Sequence, residues 1–125
     1  MAKILIVDDE PLVRLSLKSF LEDRGVCAMA AESGEMALDV LKDKKIQVVV
    51  ADMRLPGMEG NTFILKAYEI CPSLKFLIYT GSTNYALPPS LVKLGVSKDD
   101  IFRKPLNDMN VICEAIQRYI HGDKQ

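Results

Sequence analysis

Four short apolar stretches along this chain each run directly into a reactive polar residue. The stretches are rich in β-branched and aliphatic side chains and are separated by helix-length segments, which is typical of a parallel sheet covered on both faces. The carboxyl ends of parallel strands lie at one edge, and ligands of open sheets bind just beyond that edge, where the strand order reverses. The stretches cover residues 3–7, 48–51, 76–79 and 100–103. We therefore expect the polar residues that follow them to meet at that edge: Asp8 and Asp9, Asp52, Thr80, and Lys104 with Pro105.

The remaining chain alternates strand and helix patterns, without a repeat, a low-complexity tract or an internal linker. Pro11 suits the first turn of a helix that Gly25 ends, and the apolar run from Val26 to Ala31 is predicted to form the second strand. Ser33 suits the N-cap of the second helix. The third helix is predicted to start at Asn61 or Thr62. The pattern predicts one α/β domain over residues 1–125, a doubly wound parallel sheet with five strands and five helices.

Composition excludes several classes of protein. The 16 basic and 17 acidic residues give a net charge of −1. The chain therefore has no excess of positive charge that would attract nucleic acid or an acidic membrane surface. Three widely spaced cysteines without a CxxC motif argue against a disulfide framework or a zinc site. The longest apolar run, from Val26 to Ala31, is far shorter than the roughly 20 residues of a spanning helix, and the N-terminus does not read as a signal peptide. We expect a cytoplasmic protein whose partner is a protein or a small molecule.

The predicted edge of the sheet brings three carboxylates together, and these cannot all ionise at short range unless a cation neutralises them. Magnesium takes oxygen ligands and keeps several waters, so two carboxylates and a backbone carbonyl suit it. A carboxylate can also attack phosphorus and form an aspartyl phosphate, while magnesium and a lysine offset the charge. Asp52 is the best candidate for this nucleophile, because it lies at the end of a central strand. Thr80 can donate a hydrogen bond to a phosphoryl oxygen, and Lys104 can pair with another.

Each of these pieces alone is often only a turn or a helix cap, but together they resemble a known family, the receiver domains of two-component response regulators. Lys-Ile-Leu-Ile-Val-Asp-Asp-Glu-Pro at positions 3–11 is similar to the family's opening strand and acidic pair. Ala-Asp-Met-Arg-Leu-Pro-Gly-Met-Glu-Gly at positions 51–60 is similar to its phosphorylation loop. The resemblance covers essentially the whole chain. It implies a flavodoxin-like fold with strand order 2-1-3-4-5.

The resemblance also implies the chemistry and the partners. Asp52 would accept a phosphoryl group from the phosphohistidine of a sensor histidine kinase or a histidine phosphotransfer protein. Asp9 and Asp52 would bind Mg²⁺ directly with the backbone carbonyl of Arg54, and Asp8 would act largely through water. The threonine and the lysine at the later strand ends would hold phosphoryl oxygens. A downstream output domain or protein would read the result, so the chain is either a stand-alone receiver or the front of a longer regulator.

The last third of the chain departs from the family's pattern. Receivers commonly have an aromatic residue three positions before the lysine, where this chain has Ile101, and the adjacent Phe102 points to the opposite face of its strand. Two consecutive prolines should limit the fourth helix to about two turns between Pro88 and Leu94. We therefore expect phosphorylation to act mainly by ordering residues 82–97, and not by rotating a buried ring.

Two other classes of protein fit part of this pattern. Phosphohydrolases of the haloacid dehalogenase type also use an aspartate nucleophile and magnesium, but they need a second acid two residues later, where Arg54 stands. A receiver-like interaction module would keep the fold and ignore phosphate. The leading interpretation is a signalling receiver that is no enzyme beyond self-phosphorylation from a phosphodonor and slow autodephosphorylation.

Overall fold

The computed structural model describes residues 3–122, which form a five-stranded parallel sheet in the order β2-β1-β3-β4-β5. The strands are β1 (Lys3–Val7), β2 (Cys27–Ala31), β3 (Val48–Ala51), β4 (Lys75–Thr80) and β5 (Ile101–Arg103). The helices are α1 (Pro11–Glu22), α2 (Gly34–Asp43), α3 (Gly60–Ile70), α4 (Pro89–Val92) and α5 (Asn110–Ile120). The predicted doubly wound α/β fold with strand order 2-1-3-4-5 is confirmed.

Side chains of the strands enter two hydrophobic cores alternately, one on each face of the sheet. One core lies between the sheet and α2, α3 and α4, and it includes Leu5, Val49 and Ile78. The other lies between the sheet and α1 and α5, and it includes Ile6 and Val50. Because both faces are covered, the central strand β3 is buried along its whole length, and its sequence reads as a continuous apolar run.

The predicted ends of α1 and α2 are confirmed in detail. Gly25 has a φ of 79° and closes α1 in a Schellman motif, in which its N–H donates to the Glu22 carbonyl and the Val26 N–H donates to the Leu21 carbonyl, both at 3.0 Å. The Ser33 hydroxyl accepts a hydrogen bond from the Met36 N–H at 3.2 Å and so caps α2. The two helices lie on opposite faces of the sheet, since α2 contributes to one core and α1 to the other.

The fourth helix is shorter than the two turns expected between Pro88 and Leu94. Its regular part covers Pro89–Val92, since Gly95, with a φ of 101°, ends it in a second Schellman motif. The Val96 N–H donates to the Leu91 carbonyl at 3.2 Å in that motif. A proline start and a glycine end so close together leave room for about one turn.

Three other boundaries differ from the sequence expectation. β2 begins at Cys27 and not at Val26, and α3 begins at Gly60 and not at Asn61 or Thr62. β5 begins at Ile101, because the preceding apolar stretch starts with Asp100, which belongs to a 3₁₀ turn at Lys98–Asp100. None of the helices found within residues 3–122 has the length and apolar character that crossing a bilayer requires. The cysteines, all in the described part of the chain, are free thiols.

Candidate functional site

Strand register brings the predicted polar residues to one edge of the sheet. β1 and β3 pair Val7 with Ala51, so the aspartates that follow these two residues emerge side by side. β4 and β5 pair Thr80 with Arg103, so the next residue of β5 leaves the sheet beside the end of β4. Five residues predicted from the sequence therefore converge on one place: Asp8, Asp9, Asp52, Thr80 and Lys104.

Three carboxylates form the acidic part of the site. Oxygen atoms of Asp8, Asp9 and Asp52 all lie within 4.8 Å of one another. Asp8 and Asp52 are buried, with 2% and 5% of their surface exposed, whereas Asp9 faces solvent. Burial raises the pKa of Asp8 above its usual value, although hydrogen bonds from Lys104 and from the Glu10 N–H act in the opposite direction. Such a group of hard oxygen donors fits a divalent cation, which would remove the mutual repulsion of the carboxylates.

Lys104 supplies the positive charge of the site. Its Nζ lies 2.7 Å from Asp8 Oδ2, 2.9 Å from Glu10 Oε1 and 3.2 Å from Asp52 Oδ2. Burial alone would lower the pKa of Lys104, but its hydrogen bonds to Asp8 and Glu10 and the charges of Asp8 and Asp52 raise that pKa well above its usual range. The ammonium group is therefore charged throughout the physiological pH range.

Thr80 is fully buried at the end of β4 and is held by two backbone contacts. Its Oγ1 accepts a hydrogen bond from the Ser82 N–H at 3.3 Å, and its carbonyl accepts one from the Lys104 N–H at 2.9 Å. A hydroxyl group has one hydrogen to donate in addition to its lone pairs. The contact with Ser82 therefore leaves the Thr80 hydrogen able to reach an oxygen in the site.

The loop after β3 fixes the position of Asp52. The Arg54 N–H donates to Asp52 Oδ1 at 3.2 Å, and the Gly60 N–H at the start of α3 donates to the Met53 carbonyl at 3.2 Å. A Cβ atom at Gly60 would lie 2.6 Å from the Asp52 carbonyl oxygen and 2.6 Å from Met53 Cα, so only glycine allows this close approach. The loop is thus packed tightly against the helix.

Two residues near the acidic pair were not predicted from the sequence. Glu10 reaches Lys104, as described above, and Arg14 of α1 donates from Nη1 to the Asp8 carbonyl at 2.7 Å. The signal for Glu10 was present, since it continues the acidic run of Asp8 and Asp9. Arg14 had no such signal, because its contact depends on how α1 packs. A cleft of about 260 Å³ opens over the site and is lined by Asp9, Glu10, Asp52, Arg54, Gly81 and Lys104.

Comparison with known proteins gives consistent matches over nearly the whole chain. The family profile described as "Response regulator receiver domain" matches residues 4–117. Sporulation initiation phosphotransferase F of Bacillus subtilis is 29% identical over 118 residues, which are 94% of this chain and 93% of that protein. The chain spans less of longer relatives: 31% of the transcriptional regulatory protein YesN of Bacillus subtilis, at 28% identity, and 12% of the sensor protein GacS of Pseudomonas syringae, at 30% identity.

Solved structures show the same similarity. The CheY-like receiver domain protein of Methanospirillum hungatei superimposes with a TM-score of 0.83 at 27% identity, covering 99% of this chain and 98% of that one. The response regulator TrrA of Thermotoga maritima, in complex with Mg(2+)-BeF, superimposes with a TM-score of 0.79 at 25% identity, covering 95% and 99%. The match to both extends over the sheet and its covering helices.

Proposed function

This chain belongs to the response regulator receiver domain family of two-component systems, and we propose that Asp52 is the residue on which it accepts a phosphoryl group. The observation that carries the proposal is a difference among the three aspartates. Asp52 both lines the open cleft and contacts Lys104. Asp8 contacts Lys104 but does not line the cleft, and Asp9 lines the cleft but is not bonded to the lysine.

In the proposed reaction, an Asp52 carboxylate oxygen attacks the phosphorus of a phosphohistidine on the partner protein. The P–N bond breaks and its electron pair stays on the histidine nitrogen, while a new P–O bond forms the aspartyl phosphate. Lys104 offsets the negative charge of the phosphoryl oxygens, and the Thr80 hydroxyl donates a hydrogen bond to one of them. Glu10 and Arg54 line the entrance through which the phosphohistidine approaches.

We infer that the metal of this site is magnesium. Asp9, Asp52 and the backbone carbonyl of Arg54 would hold it, and Asp8 would act through water. When bound, the metal neutralises charge on the transferring group. The carboxylate oxygens within 4.8 Å of one another support this assignment, as does the magnesium of the Thermotoga maritima relative.

The partners of the chain follow from the same proposal. The phosphoryl group comes from a sensor histidine kinase or a histidine phosphotransfer protein, and an output domain or protein responds to it. The sensor protein and the phosphotransferase among the relatives support the first part. The cytoplasmic location, and the expectation that neither nucleic acid nor a membrane is a direct partner, stay predictions.

Labelling with a small phosphodonor in the presence of magnesium tests the acceptor. Asp52→Asn should abolish labelling, because an amide is not a nucleophile toward phosphorus, while the exposed Asp39→Asn variant should label like the wild type. Labelling of the Asp52→Asn variant at the wild-type level would show that the acceptor is another residue. Repeated turnover by the wild type would instead indicate a phosphohydrolase, and no labelling would indicate an interaction module.

A further inference from the structure

Lys104 has no hydrogen left to give to a phosphoryl group. An ammonium group carries three N–H donors and no acceptor. All three find a carboxylate oxygen in this structure, on Asp8, Glu10 and Asp52, at distances between 2.7 and 3.2 Å. A phosphoryl oxygen can therefore bind Lys104 only if one of the three carboxylates leaves it.

The three carboxylates differ in what holds them. Asp8 makes the shortest contact, is buried, and also accepts a hydrogen bond from the Glu10 N–H at 2.9 Å. Asp52 makes the longest contact, and in the proposed reaction the phosphoryl group that it carries takes over that N–H, so the release of a further N–H lies between Asp8 and Glu10. The side chain of Glu10 is 58% exposed, so water can solvate its carboxylate as soon as it leaves the lysine. Glu10 is the partner whose release costs least.

The backbone also holds Glu10 at a place from which its carboxylate can compete with a phosphoryl oxygen for Lys104. The Glu10 backbone is fixed on both sides, since its N–H donates to Asp8 and its carbonyl accepts from the Arg14 N–H at 3.1 Å at the start of α1. A carboxylate held this way binds Lys104 without losing translational freedom. The local concentration of the carboxylate near the ammonium group is therefore high. Carboxylate and phosphoryl oxygens form the same kind of charge-assisted hydrogen bond with an ammonium group.

We propose that Glu10 is a built-in competitor that occupies the phosphoryl-binding position on Lys104 until the phosphoryl group displaces it. The proposal rests on the proposed role of Asp52. Glu10 thus sets the affinity of the unphosphorylated site for phosphoryl groups, and it returns to Lys104 when the phosphate is lost. It positions Lys104 and takes no part in bond making.

The test is a titration with beryllofluoride, a phosphoryl mimic, at a magnesium concentration that saturates each variant. E10Q should bind the mimic about three- to tenfold more tightly than the wild type, because the competing anion is gone. E32Q is the matched control: it removes the same charge from the end of β2 at the same edge, where Glu32 lies 4.0 Å from Arg14 and does not contact Lys104. Its affinity should stay within about twofold of the wild type.

Two further measurements separate competition from a general effect of charge. E10D keeps the charge but withdraws the carboxylate by one methylene, so it should also bind the mimic more tightly than the wild type. The gain in E10Q should persist in high salt, whereas an effect of the electrostatic field would fade with screening. An E10Q affinity equal to the wild type or weaker, or a gain no larger than that of E32Q, would overturn the proposal.

The same titration keeps the two proposals apart. If Asp52→Asn binds the mimic as tightly as the wild type, the assignment of the acceptor fails, and the role of Glu10 fails with it. If the mimic requires Asp52 while E10Q leaves its affinity unchanged, only the role of Glu10 is lost. Urea unfolding without metal should give similar midpoints for E10Q and the wild type, so that a change in affinity is not a change in folding.

Discussion

Asp8 is subject to two opposing influences. Its burial favours the protonated form and raises its pKa, while Lys104 and the Glu10 N–H favour the ionised form and only partly offset this effect. A carboxyl whose pKa is higher in the folded state takes up protons on folding, so the free energy of unfolding falls as the pH rises from about 3.8 through the folded-state pKa. Asp8 therefore lowers the stability of the metal-free protein at neutral pH.

Replacing this carboxyl should stabilise the protein. In metal-free buffer at neutral pH, Asp8→Asn should raise the free energy of unfolding, because the amide is neutral and nearly isosteric. The gain should shrink as the pH is lowered toward 3.8, where the wild-type group becomes protonated. Urea denaturation with a chelator at several pH values measures this, with Asp39→Asn as the exposed control. A gain that does not change with pH would contradict the assignment to Asp8.

The contrast between Asp8 and Asp100 shows which residues the sequence could predict. Asp8 follows a strand, and parallel strands end at one edge, so its meeting with Asp52 followed from the pattern. Asp100 was taken as the start of a strand, yet it is buried, and no short-range signal marks a carboxylate whose partner, Tyr119, is 19 residues away. Contacts of long side chains, such as that of Glu10 with Lys104, depend on rotamers that only the packed structure defines.

At the scale of elements, Arg103 of β5 fastens the loop between β4 and α4. Its Nη1 donates to the Ser82 carbonyl at 2.6 Å and its Nη2 donates to the Tyr85 carbonyl at 3.1 Å. The Tyr85 hydroxyl in turn donates to Asn61 Oδ1 at 2.8 Å, in the first turn of α3. The Ser82 N–H also donates to Thr80 Oγ1, so Ser82 links the candidate site to Arg103.

Loss of the two Arg103 hydrogen bonds should make the loop between β4 and α4 more mobile. Arg103→Met should speed hydrogen exchange of the amides of residues 82–87 by about five- to tenfold, since two hydrogen bonds to backbone carbonyls are lost. Arg24→Met serves as the control, because Arg24 follows the distant helix α1 and its Cζ lies 3.6 Å from the centroid of the Phe20 ring in that helix. Equal exchange of residues 82–87 in both variants would show that Arg103 does not restrain the loop.

The elements of the fold were more predictable than their ends. Hydrophobic patterns predicted the five strands and the helices α1, α2, α3 and α5, because a buried face repeats over the length of an element, whereas α4 was located from two consecutive prolines. Ile101 and Phe102 enter different cores, as expected for neighbours in a strand. The predicted length of α4 was too long, because the residues after Val92 already belong to the turn that Gly95 closes. The expected ordering of residues 82–97 on phosphorylation stays a prediction.

At the scale of the whole molecule, one partly buried hydrogen bond ties α5 to the 3₁₀ turn before β5, far from the site. Tyr119 donates to Asp100 Oδ1 at 2.5 Å, and Asp100 Oδ2 accepts from the Ser97 N–H at 2.9 Å. Burial raises the pKa of Tyr119, and the hydrogen bond and charge of Asp100 raise it further, so the hydroxyl stays protonated. Asp100 precedes β5, and the contact therefore lies at the edge of the sheet opposite to Lys104.

Loss of this hydrogen bond should affect stability and not the site. Tyr119→Phe should lower the free energy of unfolding by about 1–3 kcal/mol, because the buried Asp100 carboxylate loses one of its donors. In a double-mutant cycle, adding Asp100→Ala should cost clearly less than it does in the wild type. Beryllofluoride affinity should be unchanged in Tyr119→Phe. Additive costs in the cycle would show that the two side chains do not act as a pair.

The contact between Lys104 and Asp8 joins residues 96 positions apart in the chain. During synthesis the N-terminal residues leave the ribosome first, so the aspartates of β1 and β3 emerge well before the lysine that follows β5. A nascent chain lacks the counter-charge and the last strand of its sheet until nearly the whole domain has been translated. The proposed phosphoryl-accepting site is thus complete only in the last stage of biosynthesis, so we expect that an unfinished chain does not accept phosphate at Asp52.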